Sequence, residues 1–586
     1  MSTKKQFLTA LLSAIALVAA SGWLTGWVSA YSPDYYHQVQ RNIEVFGRVY
    51  QEISKKYVEE IDPGKFMKAG IEGMLSTLDP YTVLVEKEDS EELQIMSSGK
   101  YGGLGMRIGI RGNFPTVVEP PYDGSPAMKA GIREGDHIFQ VDGVNTEDLP
   151  VSKVANLLRG EIGSEVFLKV EREGEPSPIE FRLIRDEIVV TDVVYSGIID
   201  DEKGIGMIRL SHFSRNAGKD IETAVRKLKQ QGLQSLILDL RSNPGGLLDA
   251  AVSVSENFVH KGELIVSTEG RTSASSQKFL AEKNPILGDL PLVVLVNGLS
   301  ASASEIVSGA IQDLDRGLII GNNTFGKGLV QTVIPIAGDA ALKITTAKYL
   351  VPSGRSIQDP KRFLPDPDEI LFKPEGKNGQ QATATEKDEK VEKDGADTET
   401  QPTGKVYHTA HGRKVFASHG VTPDIVVEQE DLSQFEIELL RKTMPFQFAV
   451  IYAARHSDLE RGFAVSDAIV EAFRKFLVEK NFDYTSAGEA AVDRLVKAAH
   501  EDDYYEQIQG SVDLIEQELA ADKAEEFDKS IDFIREELQK EISAKLWGSM
   551  AEIEATFDTD RDIEKAIEVL SDQTTYERLL TASKPE

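Results

Sequence analysis

Residues 321–336, GNNTFGKGLVQTVIPI, contain the spacing Gly-x-x-x-x-Gly-Lys, which poses a choice for Lys327. The spacing opens loops whose amides cradle nucleotide phosphates, but such loops also need a hydroxyl after the lysine and a following helix N-terminus. Here Gly328 follows the lysine, and LVQTVIPI, β-branched and ending at Pro335 and Ile336, reads as a strand. The nucleotide reading fails on both counts. A lysine on a strand behind a glycine turn can instead be desolvated, which draws its pKa from about 10.4 towards neutrality. A neutral amine can take the proton of a serine hydroxyl and make it a nucleophile.

The serine for that chemistry lies upstream. NGLSASASEIVSG, residues 297–309, follows the apolar run PLVVLV (291–296) and opens a helix. A serine at a strand-to-helix turn stands at the carboxyl edge of a sheet, where amides of the helix N-terminus can bind a developing oxyanion. Serines in such a place also cap helices. Ser300, Ser302 and Ser304 are therefore all candidates at this point.

The surrounding texture divides the chain. Residues 31–98 read as helices: VFGRVYQEISKKYV and KFMKAGIEGMLSTL repeat apolar residues near helical period, and Pro80 stops the second. Residues 99–187 are short strands and glycine turns with one helical stretch, PVSKVANLLRG, a small mostly-β module. From 188 to 372, resuming at 406–430, the strand candidates IGMIRL (205–210), SLILDL (235–240), PLVVLV and GLII (317–320) alternate with helices. That pattern predicts an α/β core with a mixed, largely buried sheet and flanking helices. Residues 373–405 have Val391 as the only large aliphatic and no aromatic, a linker or surface insertion. Residues 431–586 read as all-helical, with Phe527, Ile531, Ile534, Leu538 and Ile542 on one stripe. The stripe fits either a bundle face or a self-association surface.

Composition bounds the partners. At 586 residues the chain exceeds one core and should hold three or four domains. A net charge of −31 disfavours nucleic acid. With no cysteine there is no disulfide, thiol catalysis or Cys-ligated metal. Lys4 and Lys5 precede an apolar run from Phe7 to Trp27, and VSA follows at 28–30. Residues 1–30 therefore read as a signal peptide or a membrane anchor, and either implies export, to the periplasm or the outer side of the inner membrane. His408 and His411, spaced i, i+3 as on a helix face, make a poor zinc site without a carboxylate pair. His212 lacks the Gly-x-Ser-x-Gly elbow of a Ser-His-Asp hydrolase. No metal and no cofactor is expected.

Taken together, NGLSASASEIVSGAIQD, GNNTFGKGLVQ and the earlier LDLRSNPGGLL resemble the signature of the carboxyl-terminal processing (tail-specific) serine proteases, which carry a PDZ domain ahead of the catalytic core. The resemblance covers about residues 40–360 and resumes at GRKVFASHGVTPDI. It implies Ser302 as nucleophile, Lys327 as general base and Gln331 as the residue that orients the lysine. Gln331 lies four positions beyond Lys327, so on one strand both side chains would share a face. The oxyanion would sit between the amide of Ala303 and that of Gly245 or Gly246.

In the β module, Gly103, Leu104 and Gly105 of YGGLGM are implied to hold a substrate's C-terminal carboxylate. Glu134 stands where the family often has arginine, a departure without a reading from sequence. Arg159 matches a position through which some members couple PDZ domain to catalytic region. Asp313 matches an acidic family position near the site, with a helix-end structural role. The function implied is an exported serine endopeptidase with a Ser–Lys dyad, acting on proteins with free C-termini. An adaptor protein, a membrane anchor and a homo-oligomer through the C-terminal helices are further candidate partners. The alternatives are a non-catalytic PDZ scaffold or adaptor and, less favoured, an NTP-binding protein.

Overall fold

The computed structural model describes residues 33–581, apart from 86–94, 96, 112, 123, 173–174, 176, 337–339, 359–404 and 429–430. The signal or anchor segment 1–30 and all but the last residue of the linker 373–405 lie outside the described residues. Two compact units divide the chain between Leu84 and Val85. In the first, helices α1 (Pro33–Lys56) and α2 (Pro63–Leu75) are joined by a short turn. Asp62 caps α2, accepting from the amides of Gly64 and Lys65 at 2.8 and 3.1 Å, and Pro63 supplies the preset φ of a first helical residue. Tyr50 stacks on Phe66 with ring centroids 5.5 Å apart, which pins the two helices together.

The second unit begins with the β module. Strand β1 (Lys100–Gly103) pairs with β7 (Asp186–Val189). Between them β2 (Ile108–Arg111), β3 (Phe114–Val117), β4 (His137–Val141), β5 (Glu165–Glu171) and β6 (Ile179–Ile184) form an antiparallel sheet in that order, with β2 at one edge. Helices α3 (Pro126–Ala130) and α4 (Val151–Leu158) complete it. In β5 the sequence EVFLKVE alternates exposed and buried residues, and Val166, Leu168 and Val170 face the core.

The α/β core follows with β8 (Val193–Asp200), β9 (Ile205–Leu210), α5 (Ala217–Gln230), β10 (Ser235–Asp239), α6 (Leu248–Ser255), β11 (Leu264–Gly270), β12 (Lys278–Leu280), β13 (Leu292–Val296), α7 (Ala303–Asp313), β14 (Leu318–Gly321), β15 (Leu329–Pro335) and β16 (Ala341–Leu350). After a hairpin of β17 (Val406–His408) and β18 (Lys414–Phe416), the short β19 (Ile425–Val426) ends it. The main sheet runs β8-β9-β10-β13-β14-β19, antiparallel at the first pair and parallel thereafter, so it is mixed as expected. A second, antiparallel sheet holds β15, β16, β11 and β12.

Both faces of the main sheet are buried, which is why its strands read as unbroken apolar runs. One face packs Ile208, Leu210, Leu238, Val294 and Val296 against α5, α6 and α7. The other presents Met207, Ile237, Val293, Leu295 and Ile320, and it is covered by helices from the far end of the chain.

Those helices belong to the all-helical region expected over 431–586. Helices α8 (Gln434–Arg441), α9 (Met444–Arg455), α10 (Asp467–Glu479), α11 (Ala487–Glu501), α12 (Tyr505–Lys529) and α13 (Ile531–Trp547) make a bundle. Phe448, Phe473, Phe527, Ile534, Leu538 and Ile542 form its core, so the predicted stripe is spent inside the chain rather than left for self-association. After α14 (Ser549–Glu554) the chain leaves the bundle, and α15 (Arg561–Ser571) and α16 (Gln573–Leu580) close the open face of the protease sheet with Ile563, Ala566, Val569 and Tyr576. The last helices are a layer of the core, not an appendage.

Glu134 now has a reading. Its carboxylate meets Lys545 of α13 at 2.6 Å, both side chains almost fully buried, and Lys545 also bonds Glu541 at 2.6 Å. A Cβ on Gly135 would stand 3.0 Å from Val450 of α9, so the β module sits tightly on the bundle. Burial pushes the Glu134 carboxyl up from its ordinary 4.5 to about 7, against the pull of Lys545. The folded state thus binds this proton more tightly than the unfolded chain, and stability from the cluster falls as pH rises from about 4.5 towards about 7. Relative to Glu134→Gln, the wild type should lose up to about 3 kcal/mol across that range, with no further change above it. Denaturant titrations of both proteins at several pH values check this; a pH-independent difference contradicts it.

Candidate active site

Strand β13 ends at Val296 and α7 begins at Ala303, with the serine-rich turn between them. Ser302 takes φ 55° and ψ −109°, a conformation rare for an L-residue that costs about 1–3 kcal/mol. Such strain persists only where surrounding bonds enforce it. Ser300 is fully buried and donates to the Leu240 carbonyl at 2.8 Å; Ser304, also fully buried, donates to that of Asn243 at 2.9 Å. Those two serines hold the turn. Ser302 is half-buried at its tip, so of the three candidates it is the one fit to meet a substrate.

The bonds that enforce the turn converge on Glu305, one helical turn further on and fully buried. Its Oε2 accepts from the amides of Ser302 at 2.8 Å and Lys327 at 2.9 Å. Its Oε1 accepts from the Gly326 amide at 2.7 Å and the Thr324 hydroxyl at 2.6 Å. Burial pushes this carboxyl up and the four hydrogen bonds pull it down. Burial prevails, so the carboxyl stays above its ordinary value despite the four donors. Tyr349 closes the far side: its buried hydroxyl donates to the Lys327 carbonyl at 2.6 Å and reaches that of Ser302 at 3.1 Å. The backbones of Ser302 and Lys327 are therefore tied together twice.

Lys327 precedes β15 rather than lying on it, and the chain after Gly328 is extended, so no helix N-terminus follows the lysine. Gly328 is required because a Cβ there would stand 2.9 Å from the Gln358 amide nitrogen. The pairing of β15 with β16 slips between Val330 and Gln331. The extra residue is Thr346 on β16, and the shared-face argument for Lys327 and Gln331 does not apply because it needs both on one strand and Lys327 precedes β15. Gln331 is half-buried, and among the described residues its side-chain nitrogen has no hydrogen-bond partner.

The loop of Gly245 and Gly246 lies directly against the serine turn. A Cβ on Gly245, at φ 98°, would stand 2.6 Å from the Ala301 carbonyl oxygen and 2.8 Å from the Ala303 nitrogen. The amides of Ala303 and of this loop are thus neighbours, as an oxyanion hole requires. Asn243 organises the loop, accepting from Ala301 on its carbonyl at 3.0 Å and from the Gly245 amide on its side chain at 2.9 Å. That second bond occupies the Gly245 amide and leaves Gly246 as the glycine suited to donate.

In the β module, Gly103 ends β1, and Leu104 and Gly105 follow with their carbonyls taken by Ala127 and Tyr122. A Cβ on Gly105, at φ 74°, would collide with Ser125 at 2.4 Å. Arg159 lies 5.6 Å over the ring of Tyr101 in β1, beside this loop. Asp313 forms a fully buried ion pair with Arg355 at 2.9 Å and accepts from the Ser353 amide at 3.0 Å, a structural role as expected. His408 and His411 belong to a hairpin instead of a helix, with His411 3.6 Å from Asp315, and no metal-holding cluster occurs among the described residues. Glu305 and Tyr349 were missed by sequence reasoning. Glu305 had a legible signal, an acidic residue three positions after a serine at a helix start, but its bonds to Lys327 join segments whose proximity the sequence does not reveal.

A strained serine on a strand-to-helix turn, with a lysine bound into the same polar knot and glycine amides opposite, defines a hydrolytic site of the serine-nucleophile kind. Known proteins place the chain more narrowly. The profile of peptidase family S41 matches residues 204–368, that of a PDZ domain 117–172, that of the "Probable PDZ-protease, C-terminal helical domain" 435–570, and that of the "Activating protease CtpB N-terminal domain" 29–89. The carboxy-terminal-processing protease of Bartonella bacilliformis is 39% identical over 55% of this chain and 73% of its own length. Its counterpart in Synechocystis is 36% identical over 52% and 70%, and the carboxy-terminal processing protease CtpA of Bacillus subtilis 32% over 60% and 74%. The chain belongs to this family of carboxyl-terminal processing proteases, peptidase family S41. Gly245→Ala should lower kcat/KM by roughly a hundredfold or more by filling the space between loop and serine turn; near-wild-type kinetics with a folded variant would contradict this geometry.

Proposed function

We propose that this protease is a serine endopeptidase with a Ser302–Lys327 dyad that selects substrates by their C-termini. Ser302 attacks the scissile carbonyl while Lys327 takes its proton, Gln331 orients the lysine, and the amides of Ala303 and Gly246 receive the oxyanion. The peptide bond breaks as Lys327 returns the proton to the leaving amine, leaving an acyl-enzyme on Ser302. Water, deprotonated by Lys327, then releases the acyl group. The observation that carries this reading is the single carboxylate oxygen, Glu305 Oε2, which accepts from the amides of both Ser302 and Lys327.

Substrate choice falls to the β module. An extended C-terminus would add to the edge strand β2, its carboxylate held by amides of Gly103, Leu104 and Gly105. Arg159, beside that loop, would report occupancy. The apolar run from Phe7 to Trp27 supports action outside the cytoplasm, on exported proteins.

The test is cleavage of an unfolded reporter ending in small apolar residues, with its terminal carboxylate free or amidated. Cleavage should be lost in Ser302→Ala and in Lys327→Ala, and amidation should weaken it by roughly tenfold or more. Cleavage that survives Ser302→Ala would remove the nucleophile assignment, and a wild type without activity would favour the non-catalytic PDZ scaffold.

A further inference from the structure

The loop that carries Gly245 and Gly246 starts at Arg241, and Arg241 is gripped from two sides. Asp239, at the end of β10, binds its guanidinium bidentately at 2.9 and 3.0 Å. From the other side Nη1 meets Asp560 at 2.8 Å and Asp562 at 3.0 Å, residues at the start of α15 more than three hundred positions later. Asp560 is also the cap of α15, accepting from the amides of Asp562 and Ile563 at 3.0 and 3.2 Å. Burial alone would lower the arginine's pKa, but the carboxylates of Asp239, Asp560 and Asp562 raise it well above its ordinary value.

Ser242, Asn243 and Pro244 alone separate Arg241 from Gly245. Ser242 takes φ 57° with its amide bonded to Asn297 at 2.9 Å, and Asn243 then holds both the Gly245 amide and the Ser302 turn. A guanidinium is a planar fork, so carboxylates on two of its edges fix its orientation as well as its place. Asp239 alone would hold only the Nε–Nη2 edge and leave the whole plane able to hinge about those two bonds. The remaining constraint comes from the C-terminal helices.

We propose that Asp560 and Asp562 are positioning residues for catalysis: by locking Arg241 they set loop 241–246 so that the Gly246 amide faces the reacting carbonyl. The terminal helices thereby serve the active site besides covering the sheet. This inference rests on the Ser302 reading above.

The experiment compares wild type with Asp560→Asn/Asp562→Asn, in which asparagine still caps the helix. Tyr576→Phe is the control for plain destabilisation. It removes a hydroxyl that bonds the Leu292 amide and carbonyl at 2.9 and 3.0 Å at the same helix–sheet contact, away from the loop. Measured are kcat and KM on the apolar-tailed reporter, and the melting temperature. In the aspartate variant kcat should fall roughly tenfold or more, with KM within about twofold of wild type. Tyr576→Phe should melt earlier and keep its kcat. Unchanged kcat in the folded aspartate variant, or an equal kcat loss in Tyr576→Phe, overturns the proposal. If the double variant does not fold, Asp562→Asn carries the same comparison. Wild-type turnover that survives Ser302→Ala would sink the dyad reading and this inference with it. Turnover lost in Ser302→Ala but intact in the aspartate variant sinks this inference alone.

Discussion

The active-site architecture depends on one buried carboxylate. Glu305 accepts four hydrogen bonds, from Ser302, Lys327, Gly326 and Thr324, and thereby joins two segments of chain that no regular sheet ladder connects at that point. An unpaired carboxyl group would be costly to bury, so the interaction persists only because every lone pair has a donor and the N-terminus of α7 lies beneath it. In return the strained turn at Ser302 is held, and the lysine segment cannot drift from it. Tyr349 repeats the tie through the two carbonyls. The backbones of Ser302 and Lys327 are thus set against each other by hydrogen bonds from both sides.

Around this knot the fold works as nested supports. The serine turn rests on Asn243, the Asn243 loop on Arg241, and Arg241 on carboxylates from the strand before it and from α15. The same C-terminal helices bury the second face of the main sheet, while the preceding bundle grips the β module through Glu134 and Lys545. The helical region therefore touches both the module that would read a tail and the sheet that carries the catalytic turn. Its removal would expose Val293, Leu295 and Ile320, so it is integral to the folded protease.

Much of this was legible in the sequence. Strands of a doubly covered parallel sheet are apolar throughout, and IGMIRL and PLVVLV appear at 205–210 and 292–296 much as read. The exclusion of a phosphate loop held because Gly328 and a β-branched run are local signals, and the strand β15 follows. Long-range polar contacts were not legible. Nothing near Arg241 announces aspartates at 560 and 562, and an amphipathic helix does not declare which surface it will cover. The stripe from Phe527 to Ile542 and the face of α15 look alike in sequence, yet one fills a bundle and the other closes a sheet. Where the strand begins was not legible either: β15 starts only at Leu329, so Lys327 precedes it.

The central claim is that Ser302 is the one serine activated by this arrangement. The most direct measurement is to treat the purified protein with a fluorophosphonate, which bonds covalently to an activated serine oxygen, and to map the adduct by peptide mass spectrometry. A single adduct on Ser302, lost when Lys327 is replaced by alanine, is the predicted result. An adduct on Ser300, Ser304 or any serine outside the turn, or labelling of Ser302 that is indifferent to Lys327, would contradict it.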